Sequence, residues 1–141
     1  MPELTSKSYE EAESVVEERA MTVEIEKLVA EFAETDEKPA RVLERHGWET
    51  EETVAVGANK PRFDGVKNRI GLEHERREQM NVRSHLLWTE AALRKNVIDA
   101  AVFIIPAGNK ASIDRTFREL NDEIFTRFFP ITCPILLIQY D

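Results

Sequence analysis

Apolar residues along this chain recur at two different spacings. Ile25, Leu28, Val29 and Phe32 fall at helical intervals and predict a helix over residues 23–32 with one apolar stripe. Residues 82–96 have the same character, with Leu86, Leu87, Glu90, Ala91, Leu93 and Arg94 divided between an inner and an outer face. The segment Ile70-Gly71-Leu72-Glu73-His74-Glu75-Arg76 alternates at period two and reads as a strand. Residues 98–105 are mostly apolar, the signature of a central strand covered on both faces. Residues 111–129 predict a second long helix and 135–140 a last strand. Upstream, residues 8–18 read as an acidic helix, with Ser8 three residues before Glu11 as a capping box. Pro39 is placed to start a short helix that ends at Gly47. Trp48 and residues 53–56 suggest another strand, closed by the turn-forming residues 57–61. Strand–helix–strand–helix–strand is an α/β order, joined most naturally by parallel crossovers.

Composition places this pattern in one globular domain. The chain has 141 residues, 42% hydrophobic and 33% charged, enough for a single modest core. Its longest apolar run near the C-terminus, Ile135-Leu136-Leu137-Ile138, is far too short to span a bilayer. Met1-Pro2-Glu3 opens an acidic segment rather than a basic-then-apolar leader, so the expected location is the cytoplasm, with no membrane partner. The single cysteine, Cys133, excludes an internal disulfide and any cysteine-rich zinc site. It reads as a buried structural thiol.

The net charge of −8 argues against a nucleic-acid binder until its distribution is considered. Residues 1–60 hold 16 acidic and 7 basic side chains, whereas residues 61–141 hold 11 and 12. The expected organisation is therefore one domain over 1–141, with an acidic helical region at 1–60 and the core at 61–141. Any phosphate-facing surface must come from the second part. Residues 60–83 carry Lys60, Arg62, Lys67, Arg69, Arg76, Arg77 and Arg83 against four carboxylates.

Those carboxylates carry the candidate chemistry. Side chains two apart on a strand share a face, so Glu73 and Glu75 project together, with Gly71 expected to leave open space beside them. His74 points the other way. Asp64 lies nine residues before Glu73, and a strand ending near Asp64, a tight turn at Gly65 and a return strand would bring the two carboxylates together. Converging carboxylates suit Mg²⁺, a hard cation that binds through one or two such groups plus phosphate oxygens. A metal held there polarises a phosphoryl group and lowers the pKa of a bound water. A further carboxylate can orient or deprotonate that water.

This segment resembles the PD-(D/E)xK nucleases, and within them the type II restriction endonucleases of the BglII and BamHI group. The resemblance rests on Asp64-Gly65-Val66-Lys67-Asn68-Arg69 leading directly into Ile70-Gly71-Leu72-Glu73-His74-Glu75. It extends to the next core strand, which opens on Ile98-Asp99 and closes on Pro106. It implies a restriction-endonuclease-like α/β core, a central mixed sheet flanked by helices. It implies Asp64 and Glu73 as Mg²⁺ ligands, with Glu49 a candidate third, and Glu75 as the residue that positions or activates water. Lys67, Asn68, Arg69, Arg76, Arg77 and Arg83 are the expected DNA-binding residues. The implied activity is sequence-specific cleavage of double-stranded DNA by a homodimer, since a palindrome needs two sites related by a two-fold axis. A companion DNA methyltransferase is an implied partner.

Two other readings stay open. One is a repair or mobile-element nuclease directed by structure rather than sequence. The other is a non-catalytic interaction protein that keeps the nuclease-like core. His46 and His85 lack partners at metal-ligand spacing and read as surface or cap residues. Trp48 and Trp88 read as core anchors.

Overall fold

The computed structural model describes residues 3–50, 63–75, 82–108 and 112–141. The element order is β1 (Leu4–Tyr9), α1 (Ala12–Glu18), α2 (Thr22–Glu34), α3 (Pro39–Arg45), β2 (Glu49–Thr50), β3 (Gly65–Lys67), β4 (Ile70–His74), α4 (Val82–Arg94), β5 (Ala100–Pro106), α5 (Ile113–Leu120), a π-helical turn (Ile124–Phe128) and β6 (Ile135–Tyr140). The strands form one six-stranded sheet in the order β1-β6-β5-β4-β3-β2. Pairs β4/β5 and β5/β6 are parallel, while β1/β6, β2/β3 and β3/β4 are antiparallel. The sheet is therefore mixed, flanked by helices as the α/β pattern predicts.

Strand alternation divides the core into two layers. Ile70, Leu72 and His74 share a face with Ala100, Val102 and Ile104 and with Leu136, Ile138 and Tyr140. Helices α1 to α3 cover this face through Val16, Ile25, Leu28, Val29, Phe32 and Leu43. Ala101, Phe103, Ile105, Ile135 and Leu137 point to the opposite face, under Val82, Leu86, Ile113 and Leu120 of α4 and α5. Strand β5 is apolar at nearly every position because both of its faces are covered. The α2 stripe has the periodicity that such coverage requires.

Several boundaries differ from expectation. Ser8 and Tyr9, expected to open the acidic helix, instead end strand β1, whose backbone pairs with β6 from Leu4↔Tyr140 to Tyr9↔Ile135, and the helix starts at Ala12. Ser8 caps differently from the expected box, its Oγ accepting the Glu13 N–H at 3.1 Å. The first fifty residues thus supply one edge strand, one helical layer and β2 of the same sheet. The long helix expected over 111–129 breaks after Leu120 and resumes as the π-helical turn. The expected strand at 53–56 lies outside the described residues. Trp48 is buried as expected, but Trp88 is 45% exposed and lies on the outer side of α4 beside Leu87. Cys133 is fully buried, and burial pushes its thiol pKa up to about 12.

Among the described residues, no helix is long and apolar enough to cross a membrane.

Candidate active site

The β3–β4 hairpin sets the site. Lys67 pairs with Ile70, Val66 with Gly71 and Gly65 with Leu72, leaving Asn68-Arg69 as a two-residue turn. Both turn residues have positive φ, 48° and 64°, the geometry of a type I′ turn matched to strand twist. The turn is therefore at 68–69, not at Gly65. Gly65 lies within β3, where an added Cβ would come within 2.9 Å of Leu43 Cδ1. Asp64 immediately precedes β3, and the antiparallel register carries it back to Glu73. The Asp64 Oδ2 accepts the His74 backbone N–H at 2.7 Å.

The Asp64 and Glu73 carboxyl groups lie within hydrogen-bonding range of each other. Glu73 is held well above the usual carboxylate range, first by burial, then by the charges of Asp64 and Glu75. Two part-buried carboxylates facing each other cannot both ionise cheaply without a proton or a cation between them. Glu75 follows β4 directly, and its N–H donates to the Ile104 carbonyl at 2.9 Å, extending the parallel ladder. Its charge therefore reaches Glu73 from the end of the strand.

Gly71 does not leave an opening beside these groups. The Phe63 ring packs over it, and an added Cβ at Gly71 would lie 2.9 Å from Phe63 Cδ1 and Cε1. Phe63 is buried and adjoins Asp64 in sequence, so this contact steadies the carboxylate from behind. His74 points to the opposite face, as the alternation predicts. There it stacks on Phe32 at 4.3 Å and its Nε2 meets the Tyr140 hydroxyl at 2.8 Å.

A residue outside the sequence-derived set lies on the same side of the sheet. His85 of α4 sits edge-on to the Phe103 ring, centroids 6.4 Å apart at 90°, and Phe103 is the β5 register partner of Glu73. Burial lowers the His85 pKa, while the Glu75 charge opposes that shift. The signal lies in the sequence: His85 is three residues after Val82 and four before Thr89, both buried, and so belongs to the inner stripe.

The remaining candidates are elsewhere. Lys67 Nζ donates to Glu24 Oε1 and to the His46 carbonyl, both at 2.7 Å. Asn68 Nδ2 meets Met21 Sδ at 3.2 Å. Arg69 holds Asp99 through Nε and Nη2, both at 2.9 Å, and reaches the Asn96 carbonyl and side chain. These three residues sit at the hairpin turn, the end of β4 remote from Glu73, and are engaged internally. Arg83 Nε pairs with Glu119 at 3.1 Å on the surface of α4. Glu49 pairs across β2/β3 with Val66, hence lies opposite Gly71 rather than Glu73. It lines a cleft of about 460 Å³ with Gly47, Lys67, Arg69 and Val97. His46 pairs with Glu31 at 2.7 Å. Arg76 and Arg77 lie outside the described residues.

Among the described residues, no group of three or more His, Cys, Asp and Glu side chains is disposed to hold a metal ion. The donor set at Asp64 and Glu73 is a carboxylate pair, which matches the small protein contribution Mg²⁺ usually takes. The exposed end of this pair, flanked by Glu75, lies at the carboxyl end of β4, the end of a parallel strand where α/β sheets commonly bind ligands. No protein-family model matches the chain, and no curated protein sequence matches it.

Proposed function

We propose that this chain is a Mg²⁺-dependent endodeoxyribonuclease of restriction type, hydrolysing DNA phosphodiester bonds. The observation that carries the reading is the meeting of Asp64 and Glu73, drawn together by the hairpin register and the 2.7 Å bond to the His74 N–H. Burial and then the charges of Asp64 and Glu75 raise the Glu73 pKa, and a dication would offset that repulsion, so the pair is matched to a metal. Asp64 and Glu73 would hold Mg²⁺, which would supply polarisation of the scissile phosphate and a more acidic water. Glu75, one pleat beyond Glu73, would be placed to orient the attacking water and accept a proton from it. The order of β4, α4 and buried β5 also agrees with the motif spacing that the restriction-type resemblance rests on.

Double-strand cleavage implies a homodimer with one site from each copy. Engagement of Lys67 and Arg69 with Glu24 and Asp99 favours phosphate contacts from other cations. It also gives weight to a second reading, structure-directed cutting, which needs less base-reading surface than sequence-directed cutting.

The experiment is incubation of the purified protein with supercoiled plasmid, with Mg²⁺ or EDTA, beside Glu73→Ala. Discrete Mg²⁺-dependent fragments that vanish in the variant are expected. Nicking or smearing with the same dependence would leave a nuclease but replace the restriction role. A folded protein that binds Mg²⁺ yet cuts no substrate would overturn the enzyme reading in favour of an interaction protein.

A further inference from the structure

Helix α4 is apolar on two sides, and among the described residues only the inner side is covered. Val82, Leu86 and Ala92 are buried against the sheet, whereas Leu87 and Trp88 on the outer side are nearly half exposed. Beside them the π-helical turn ends in Phe128, 60% exposed, and is followed by Phe129, 62% exposed. We propose that this patch pairs two copies of the chain about a two-fold axis, Phe128 of each copy seated in a groove of the other. The proposal names the interface of the homodimer that the nuclease reading calls for, and rests on that reading for its use.

The patch is continuous. Leu87, Ala91, Phe128, Phe129, Pro130 and Ile131 line one groove of about 300 Å³. Leu87, Ala91 and Arg94 fall one above another on the outer stripe of α4, and Trp88 widens that stripe. A helix that is apolar on both sides belongs in an interior, not at a surface. The four exposed side chains present on the order of 400 Å² of apolar surface, the size at which such a patch marks an interaction site. A stable dimer takes about 800 Å² from each copy. These residues therefore suffice for the centre of such an interface, with a polar rim around it.

The patch is also complementary to itself, as a two-fold contact requires. It carries a projection and a recess side by side. The Phe128 ring stands out from the surface, and the groove beside it is larger than the ~150 Å³ that admits a benzene-sized group. Its charges balance, Arg94 with Glu90 at 3.0 Å and Arg127 with Glu123 at 3.1 Å. In a chain of net charge −8, copies repel one another elsewhere but not here. The Arg127 guanidinium lies over the Phe128 ring at 5.4 Å, and in the dimer it faces Glu123 of the second copy. A strongly charged foreign partner finds no such match.

The test is sedimentation of the full chain over a wide range of concentration, without metal or DNA. Wild type is expected to pass from monomer to dimer. Phe128→Glu should weaken the dimer by at least about 100-fold, and Leu87→Lys, from the α4 side, should act likewise. Both positions are exposed, so circular dichroism and melting at low concentration should match the wild-type monomer. Charge reversal gives a second readout. Glu123→Arg and Arg127→Glu should each weaken the dimer, and mixing the two variants should recover it as a heterodimer. A wild type that stays monomeric, or dimers that persist in both Phe128→Glu and Leu87→Lys, would overturn the proposal. So would a mixture that associates no more tightly than its components. Dimers of a protein that cuts no DNA would remove the nuclease reading and leave the interface standing.

Discussion

Asp64 does two things with one carboxylate: Oδ2 accepts the His74 backbone N–H at 2.7 Å, and the group also lies against Glu73. The same side chain therefore closes the open end of the β3–β4 hairpin and builds the carboxylate pair. Asp64→Asn retains an oxygen for the His74 N–H while removing the charge. It should melt near the wild-type temperature and lose Mg²⁺-dependent cleavage by at least about 100-fold. Asp64→Ala leaves that N–H without its acceptor and should also cost about 1–3 kcal/mol in denaturant unfolding. Equal activity loss with equal stability in both variants would contradict the dual role.

Glu73 makes stability depend on pH in a definite direction. Its folded pKa is raised, so between the unfolded value and the folded value the native state binds more protons than the unfolded chain. Its contribution to stability is greatest at low pH and declines as pH rises through that window. Glu73→Gln should therefore melt a few degrees higher than wild type at neutral pH, with the difference closing toward pH 4. Added Mg²⁺ should stabilise the wild type and leave Glu73→Gln nearly unchanged, as thermal melts with and without the metal would read.

Glu90 works the other way. Burial pushes its pKa up, but hydrogen bonds from the Thr132 side chain, Arg94 and the backbone N–H groups of Cys133 and Thr132 outweigh it and leave the carboxylate low. Oε1 alone accepts both backbone N–H groups at 2.8 Å, fastening α4 to the loop before β6. Glu90→Ala should cost about 2–4 kcal/mol at neutral pH, because two backbone donors lose their partner. The part due to ionisation is present above the unfolded pKa and lost as pH falls. Urea unfolding at neutral and acidic pH should show the gap between wild type and Glu90→Gln narrowing in acid.

Gly71 is held by contact rather than by backbone conformation. An alanine there would press on the Phe63 ring at 2.9 Å, costing about 1–3 kcal/mol by overpacking. Because Phe63 adjoins Asp64, Gly71→Ala should lower cleavage more than its loss of stability accounts for. Phe63→Leu in the same background should restore part of the activity. Cleavage rates and melts of the single and double variants decide this.

Much of the architecture is legible in the chain because burial imposes a period. Strand β6 has its expected bounds, and α2, α4 and β5 differ from expectation by at most two residues at either end. Each presents an uninterrupted apolar pattern to a covered face. Strand β1 was hidden because Thr5, Ser6, Lys7 and Ser8 carry no such pattern, and its partner lies more than 120 residues away. The meeting of Asp64 with Glu73 was readable from spacing, but the turn that achieves it was not. Positive φ at Asn68 and Arg69 is unusual for arginine, and it is offset by the bidentate grip of Arg69 on Asp99. Charge alone does not reveal that Lys67 and Arg69 also have internal partners in Glu24 and Asp99. His85 was passed over for the opposite reason, since a lone histidine shows its neighbours only once the helix is docked.

The antiparallel seam between β1 and β6 has a consequence for solubility. Ile135–Tyr140 is the most uniformly apolar strand near the sheet margin, and β1 covers the side that would otherwise offer unpaired N–H and C=O groups. The covering strand is polar and mostly exposed, and its Lys7 is tied to Asp114 and lies over the Phe117 ring. Such a strand is a poor template for further pairing. A chain cut before Ser8 would present β6 itself as the rim, a short hydrophobic segment of the kind that seeds fibrils. Six unremarkable residues thus act as the molecule's gatekeeper against self-assembly.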